Sequence, residues 1–205
     1  MGQLAGTRIG WENEHLATFL LSRISFVANP ITVADDIGSD FFCTLFESRT
    51  KNNAEQLFPR NSFAIQIKSK EETIQATNKI QYLDKLELPF FVGVIDRDKL
   101  QLRIYSGEYV PILFPLYGAP LELRLSPVPA AEVKTTGYCE VKQDQHLVAV
   151  DALIRLPFIM EIGADESRDD ILKKGQELSK LCSRMHDNIS ARTSKEYIFK
   201  LGHPI

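Results

Sequence analysis

Leu16, Phe19, Leu20 and Ile24 recur three and four positions apart in a stretch free of glycine and proline. That period predicts an amphipathic helix over residues 11–24, closed before Asn29-Pro30 because a residue preceding proline is driven out of the α region. Residues 40–46 are apolar and aromatic almost throughout and read as a buried strand, followed by a long polar loop over 47–61. Strict alternation begins at residue 62: Phe63, Ile65 and Ile67 point to one face, and Ala64, Gln66 and Lys68 to the other. Ala76, Ile80 and Leu83 keep helical spacing and predict a second helix over 71–86, with Lys85 suited to its C-terminal end. Pro89 then opens an apolar strand over 90–95, and a turn at 96–99 leads into another over 100–105. The predicted order is α, β, β, α, β, β.

Half of the ten prolines, Pro111, Pro115, Pro120, Pro127 and Pro129, fall between residues 110 and 130, which predicts an extended surface connection. The expected organisation is therefore a core over 1–110, a proline-rich connection over 111–130, and a C-terminal α+β extension over 131–205 packing on or beside the core. The extension should hold a strand over 146–156 and a strong helix over 168–191. Ser167 and Asp170 form the capping box of that helix, and Ile171, Leu178, Leu181, Met185 and Ile189 its apolar stripe. A short strand over 196–201 completes the pattern. No internal repeat is present.

The 205 residues suffice for one well-cored unit, and 44% hydrophobic with 25% charged residues is ordinary globular usage. No apolar run approaches the ~20 residues of a bilayer span, so no membrane association is expected. The first eight residues lack an apolar signal core, and Gly6 stands where myristoylation needs Ser or Thr. Cys43, Cys139 and Cys182 are odd in number and contain no C-x-x-C pair. Together these features predict a cytoplasmic protein without a zinc ribbon. The net charge of -3 supplies no global attraction to nucleic acid. Within 48–70, however, Arg49, Lys51, Arg60, Lys68 and Lys70 stand against Glu55 alone, a local balance of +4. Arg49, Lys51, Arg60 and Lys70 are thus the candidate phosphate-facing residues, and a solvated loop is the alternative.

Asp40 heads the first core strand and Gln66-Ile67-Lys68 lies on the next. On neighbouring strands, a carboxylate could hold a hard divalent cation while a lysine orients a water, an arrangement suited to phosphodiester hydrolysis. Each residue also has a plainer role: Asp40 as a turn cap beside Gly38, Lys68 as a solvated strand-end residue, Glu14 as a favourable charge near a helix start. Trp11 and the pairs Phe41-Phe42 and Phe90-Phe91 are expected in the core. The four histidines show no ligand spacing, and the acidic residues 165–170 suit a helix N-terminus.

Glu14, the segment Asp36-Ile-Gly-Ser-Asp40 and Gln66-Ile-Lys68, in that order, resemble the PD-(D/E)xK phosphodiesterase superfamily over about residues 9–105. Within it the pattern looks closest to a bacterial branch of unknown function. The resemblance implies a restriction-endonuclease-like α/β core, with a mixed central sheet flanked by helices. It also implies a nuclease dependent on Mg2+, with Mn2+ able to substitute, acting on DNA in preference to RNA in a defence or repair setting. Carried over by residue, Asp40, Gln66 and Lys68 are the catalytic positions, and Glu14, Asp40 and the backbone carbonyl of Ile67 the metal ligands. Gln66 departs from the usual second carboxylate. Glu12 competes with Glu14, about 200° away around the helix. A catalytically silent binding or scaffolding relative is the alternative, and a homodimer or a partner protein could pack on helix 168–191.

Overall fold

A computed structural model describes residues 2–29, 38–51 and 54–194. The first apolar stripe forms α1 (Gly2–Ser22), which buries Ala17, Leu20 and Leu21. Ile24 is buried in the turn just beyond the helix, whereas Phe19 faces outward at 52% exposure. Trp11 is 67% exposed, which corrects its expected place in the core; Phe41, Phe90 and Phe91 are buried there as anticipated. A short strand missed in the sequence, β1 (Ser25–Ala28), pairs antiparallel with β2 (Phe41–Lys51).

The expected loop over 47–61 is instead a two-stranded ribbon. β2 pairs antiparallel with β3 (Ala54–Lys68) from Phe41↔Ile65 outward to Lys51↔Ala54, with a register shift between Thr44 and Phe46. The outer ribbon leaves Arg49, Gln56, Leu57 and Phe58 exposed. It therefore carries no alternation of buried and solvated positions, although cross-strand bonding satisfies its backbone. Past the bulge, β3 turns into the core and runs parallel to β5 (Phe90–Asp96), which pairs antiparallel with β6 (Gln101–Ser106).

The helix expected over 71–86 is replaced by β4 (Ile74–Gln75), a 3-10 turn (Thr77–Lys79) and a short α2 (Ile80–Lys85). Ile74 pairs with Leu125, and the Ala76 N–H donates to the Leu123 carbonyl at 2.8 Å, so distant strand contacts claim the first half of the segment. The proline-rich region is also corrected. It forms α3 (Val110–Tyr117) and β7 (Glu122–Val128) rather than an extended surface connection. Pro111 sits in the first turn of α3, where its missing N–H costs nothing, and residues 110–114 are buried. Pro127 lies on β7 beyond the two residues that pair with β4.

After α4 (Ala130–Thr136), β8 (Cys139–Gln143) pairs with β9 (Ala149–Gly163), which is longer than the strand expected over 146–156. β9 runs parallel to β7 and then antiparallel to β6, tying both halves of the chain into one sheet. The strand order is β1-β2-β3-β5-β6-β9-β7-β4, with β8 alongside β9. The last helix, α5 (Arg168–Ser194), begins where Ser167 Oγ accepts the Asp170 N–H at 3.2 Å. All five stripe residues are buried, and Ile171, Leu178, Leu181 and Met185 share one cluster with α1, β2 and β3. The stripe thus covers this chain's own sheet, not a partner's surface.

Two apolar layers result. α1 and α5 cover one face through Phe63, Ile65, Phe91, Leu102 and Ile104; α2, α3 and α4 cover the other through Val92, Val94, Tyr105 and Leu123. The architecture is α/β, with a mixed central sheet flanked by helices. The strand expected over 196–201 lies outside the described residues. Among the described residues no helix is long and apolar enough to cross a membrane.

Candidate functional site

Asp40 stands one residue before β2, where that strand has ended but β3 continues. Its N–H donates to the Ile65 carbonyl at 2.9 Å, and its Oδ2 accepts the Ile67 N–H at 2.5 Å. A strand residue presents N–H and C=O to the same edge. The Ile67 carbonyl therefore points to the edge that the Asp40 carboxylate occupies. Gln66 and Lys68 instead direct their backbone groups toward β5, in register with Val92 and Val94. Their side chains share one sheet face; Gln66 is 8% exposed and Lys68 is half-buried.

The approach to Asp40 is tightly built. Gly38 has φ +108°, and a Cβ there would lie 2.6 Å from Tyr82 Cδ1, so both backbone and space require glycine. The Tyr82 hydroxyl donates to Ser39 Oγ at 2.8 Å, and Lys79, only 7% exposed, lays its stem beside Gly38. Burial pushes the Tyr82 phenol up, which keeps it a donor. Sequence reasoning missed Tyr82 and Lys79. Their contacts with the turn arise only when the short α2 folds back against it, and no local spacing announces them.

The two glutamates of α1 separate. Glu12 forms an ion pair with Arg97 in the β5–β6 turn. Glu14 is raised above the ordinary carboxylate range, chiefly by partial burial and then by the negative charge of Asp40. Glu14 is thus the helix carboxylate within electrostatic reach of Asp40, and Glu12 is engaged elsewhere. Asp36 lies outside the described residues.

The basic residues do not form one patch. Arg49 and Arg60 both pair with Glu47 on the ribbon, and the Arg49 guanidinium sits 5.3 Å from the Phe58 ring centroid. Lys51 ends β2, and its side chain is outside those described. Lys70 follows the opposite end of β3, roughly 25–30 Å of strand away from Arg60. Lys68 and Lys70 therefore lie at the end of β3 that Asp40 adjoins, whereas Arg49 and Arg60 belong to the ribbon.

Among the described residues, no group of three or more His, Cys, Asp or Glu side chains converges on a common point. At the Asp40 corner a carboxylate lies beside a strand-edge carbonyl, with a second carboxylate, Glu14, within electrostatic reach. Those are hard oxygen donors, and Mg2+ needs only one or two carboxylates when water and a phosphate complete its shell. The mutual repulsion recorded in Glu14 is what a bound cation would relieve.

A pH dependence follows from Glu14. Its folded-state pKa lies above the ordinary 4.5, so its contribution to stability is complete below that value and is lost as pH rises through the folded-state value. Glu14→Gln should abolish this loss, leaving the variant more stable than the parent at about pH 7, with the advantage shrinking toward about pH 4. Urea unfolding at both pH values measures it. An identical pH profile for parent and variant would exclude the coupling.

Compared with known proteins, the chain matches no protein-family model, no curated protein and no solved structure.

Proposed function

We propose that this protein is a Mg2+-dependent nuclease of the PD-(D/E)xK kind, with Asp40 and Glu14 as carboxylate ligands and the Ile67 carbonyl as a third. One observation carries the reading: the Asp40 carboxylate is anchored on the Ile67 N–H at 2.5 Å with Glu14 close enough to feel its charge. A bound Mg2+ would polarise a phosphoryl oxygen and acidify a water. Lys68 orients the attacking water and stabilises charge developing at phosphorus, while Gln66 hydrogen-bonds within the site without adding negative charge. Water adds to phosphorus, the P–O bond to the leaving sugar oxygen breaks, and that oxygen takes up the proton.

A second reading, a silent nuclease-fold binding module, is favoured by the neutral, nearly buried Gln66 and by the absence of a third carboxylate among the described residues. Incubating purified protein with supercoiled plasmid and labelled single strands, in Mg2+, Mn2+ or EDTA, separates the two. The nuclease reading expects metal-dependent nicking that Lys68→Ala lowers by about 10²–10⁴-fold. No cleavage in any lane, together with no Mn2+ binding, would leave the binding module.

A further inference from the structure

On the sheet face that carries Gln66 and Lys68, the strand register sets two rows across β3, β5 and β6. Gln66, Val92 and Tyr105 form one row, and Lys68, Val94 and Arg103 the next. Residues opposite each other on paired strands point to the same face. Arg103 and Tyr105 therefore share the face of Lys68, two strands or about 10 Å away from it.

Both β6 side chains converge on one carboxylate. Arg103 Nη1 donates to Glu71 Oε2 at 2.6 Å, and the two side chains are 34% and 32% exposed. The Tyr105 hydroxyl donates to Glu71 as well; burial and then that bond push its phenol up and keep it protonated. The donors are fixed to the sheet. Tyr105 is buried on a central strand, and its ring meets Phe158 edge-to-face at 5.8 Å. The acceptor is not part of the sheet, because Glu71 comes from the irregular, exposed segment 69–73 that follows Lys68. Glu161, opposite Arg103 on β9, is the other acid of this row and forms no ion pair with Arg103 among the described residues.

A guanidinium and a hydroxyl that together hold a carboxylate fit the oxygens of a phosphate equally well, since both anions offer acceptors in the same fork. We propose that Arg103 and Tyr105 form a subsite for a backbone phosphate of a nucleic-acid strand, next to the scissile one, and that the Glu71 carboxylate occupies this subsite until substrate displaces it. Lys68 meets the scissile phosphate, and Arg103, in the same row, its neighbour. Glu71 already reaches both donors, so the position is open to an anion from outside. Its departure breaks no strand pairing, because residues 69–73 belong to no strand. The choice of a nucleic acid rests on the nuclease reading; the anion subsite does not.

Fluorescence anisotropy of a labelled 15-nucleotide single strand in EDTA, over a range of salt, tests the subsite with no cleavage required. Glu71→Ala should bind about 10-fold more tightly than the parent and Arg103→Gln about 10-fold more weakly. Arg103→Gln should also lower the slope of log K against log salt by about 0.7. Tyr105→Phe, which keeps the ring, should weaken binding by less than Arg103→Gln. The double variant Glu71→Ala/Arg103→Gln should bind as weakly as Arg103→Gln alone, because removing the carboxylate then uncovers no guanidinium. Glu72→Ala removes the same charge from an exposed neighbour and should bind like the parent. All should fold, since a partly exposed ion pair adds little to stability, and thermal unfolding checks this. An equal gain in Glu72→Ala, or a Glu71→Ala gain that persists beside Arg103→Gln, would overturn the subsite. So would Glu71→Ala binding inorganic phosphate by calorimetry but not the strand, or binding neither. Metal-dependent cleavage with strand binding indifferent to Arg103 defeats the subsite alone. Arg103-dependent binding without cleavage defeats the nuclease reading and supports the subsite.

Discussion

Asp40→Asn should lower metal-dependent cleavage by about 10²–10³-fold, a loss of about 3–4 kcal/mol of transition-state stabilisation. The substitution isolates charge from architecture. The asparagine oxygen can still accept the Ile67 N–H that Asp40 Oδ2 accepts at 2.5 Å, and the backbone bond to Ile65 is untouched. What disappears is the anionic oxygen at the strand edge. Two further readouts accompany the loss: Mn2+ binding measured by calorimetry should vanish, and Glu14 should titrate lower, because the Asp40 charge that helps raise its pKa is gone while its burial remains. Retained cleavage and Mn2+ affinity in a folded Asp40→Asn protein would remove Asp40 from the site. Glu12→Gln provides the contrast, since Glu12 is engaged by Arg97 and should leave cleavage close to that of the parent.

Phe91→Ala carries the largest expected effect on stability, about 3–5 kcal/mol. Phe91 is fully buried on β5, a central strand between β3 and β6, and meets Phe63 edge-to-face at 5.3 Å and 89°. The cluster around it joins α1, α5 and five strands, so no single element can collapse into the void. Urea unfolding should show a lower midpoint at unchanged slope, with Tm falling by roughly 6–20 °C. Trp11→Ala and Phe26→Ala, at 67% and 53% exposed positions, should each stay within about 0.5 kcal/mol of the parent. A Phe91→Ala loss no larger than theirs would mean that the central strand is not packed as described.

The legible parts of the fold were those in which burial follows local spacing. The α5 stripe, its Ser167 cap, and the alternation from Phe63 to Lys68 each have one face against the core and one toward water or a second layer, and that asymmetry prints a period into the sequence. The outer ribbon, β4 and the proline-rich segment print none. Ribbon residues are solvated on both sides, Ile74 is held by Leu125 some fifty residues away, and α3 is buried on nearly every side. Trp11 and Phe19 show the converse: a large apolar residue on a predicted helix can still face solvent.

For the site, the order of Glu14, Asp40, Gln66 and Lys68 along the chain and the chemistry of each were readable directly, as was their distribution over a helix and two strands. Whether Glu12 or Glu14 faces Asp40 was not, because helical periodicity states only that they diverge; the docking of α1 across the strand ends decides which one turns toward β2 and which toward Arg97. In the same way the pairing of Asp40 with the Ile67 N–H and the Tyr82 brace on Ser39 depend on contacts between residues 27 and 43 positions apart. Local sequence determined residue chemistry, element type wherever one face is buried, and the α/β class. Register and the partners of charged groups were decided by tertiary packing, since they depend on which distant surfaces exclude water together.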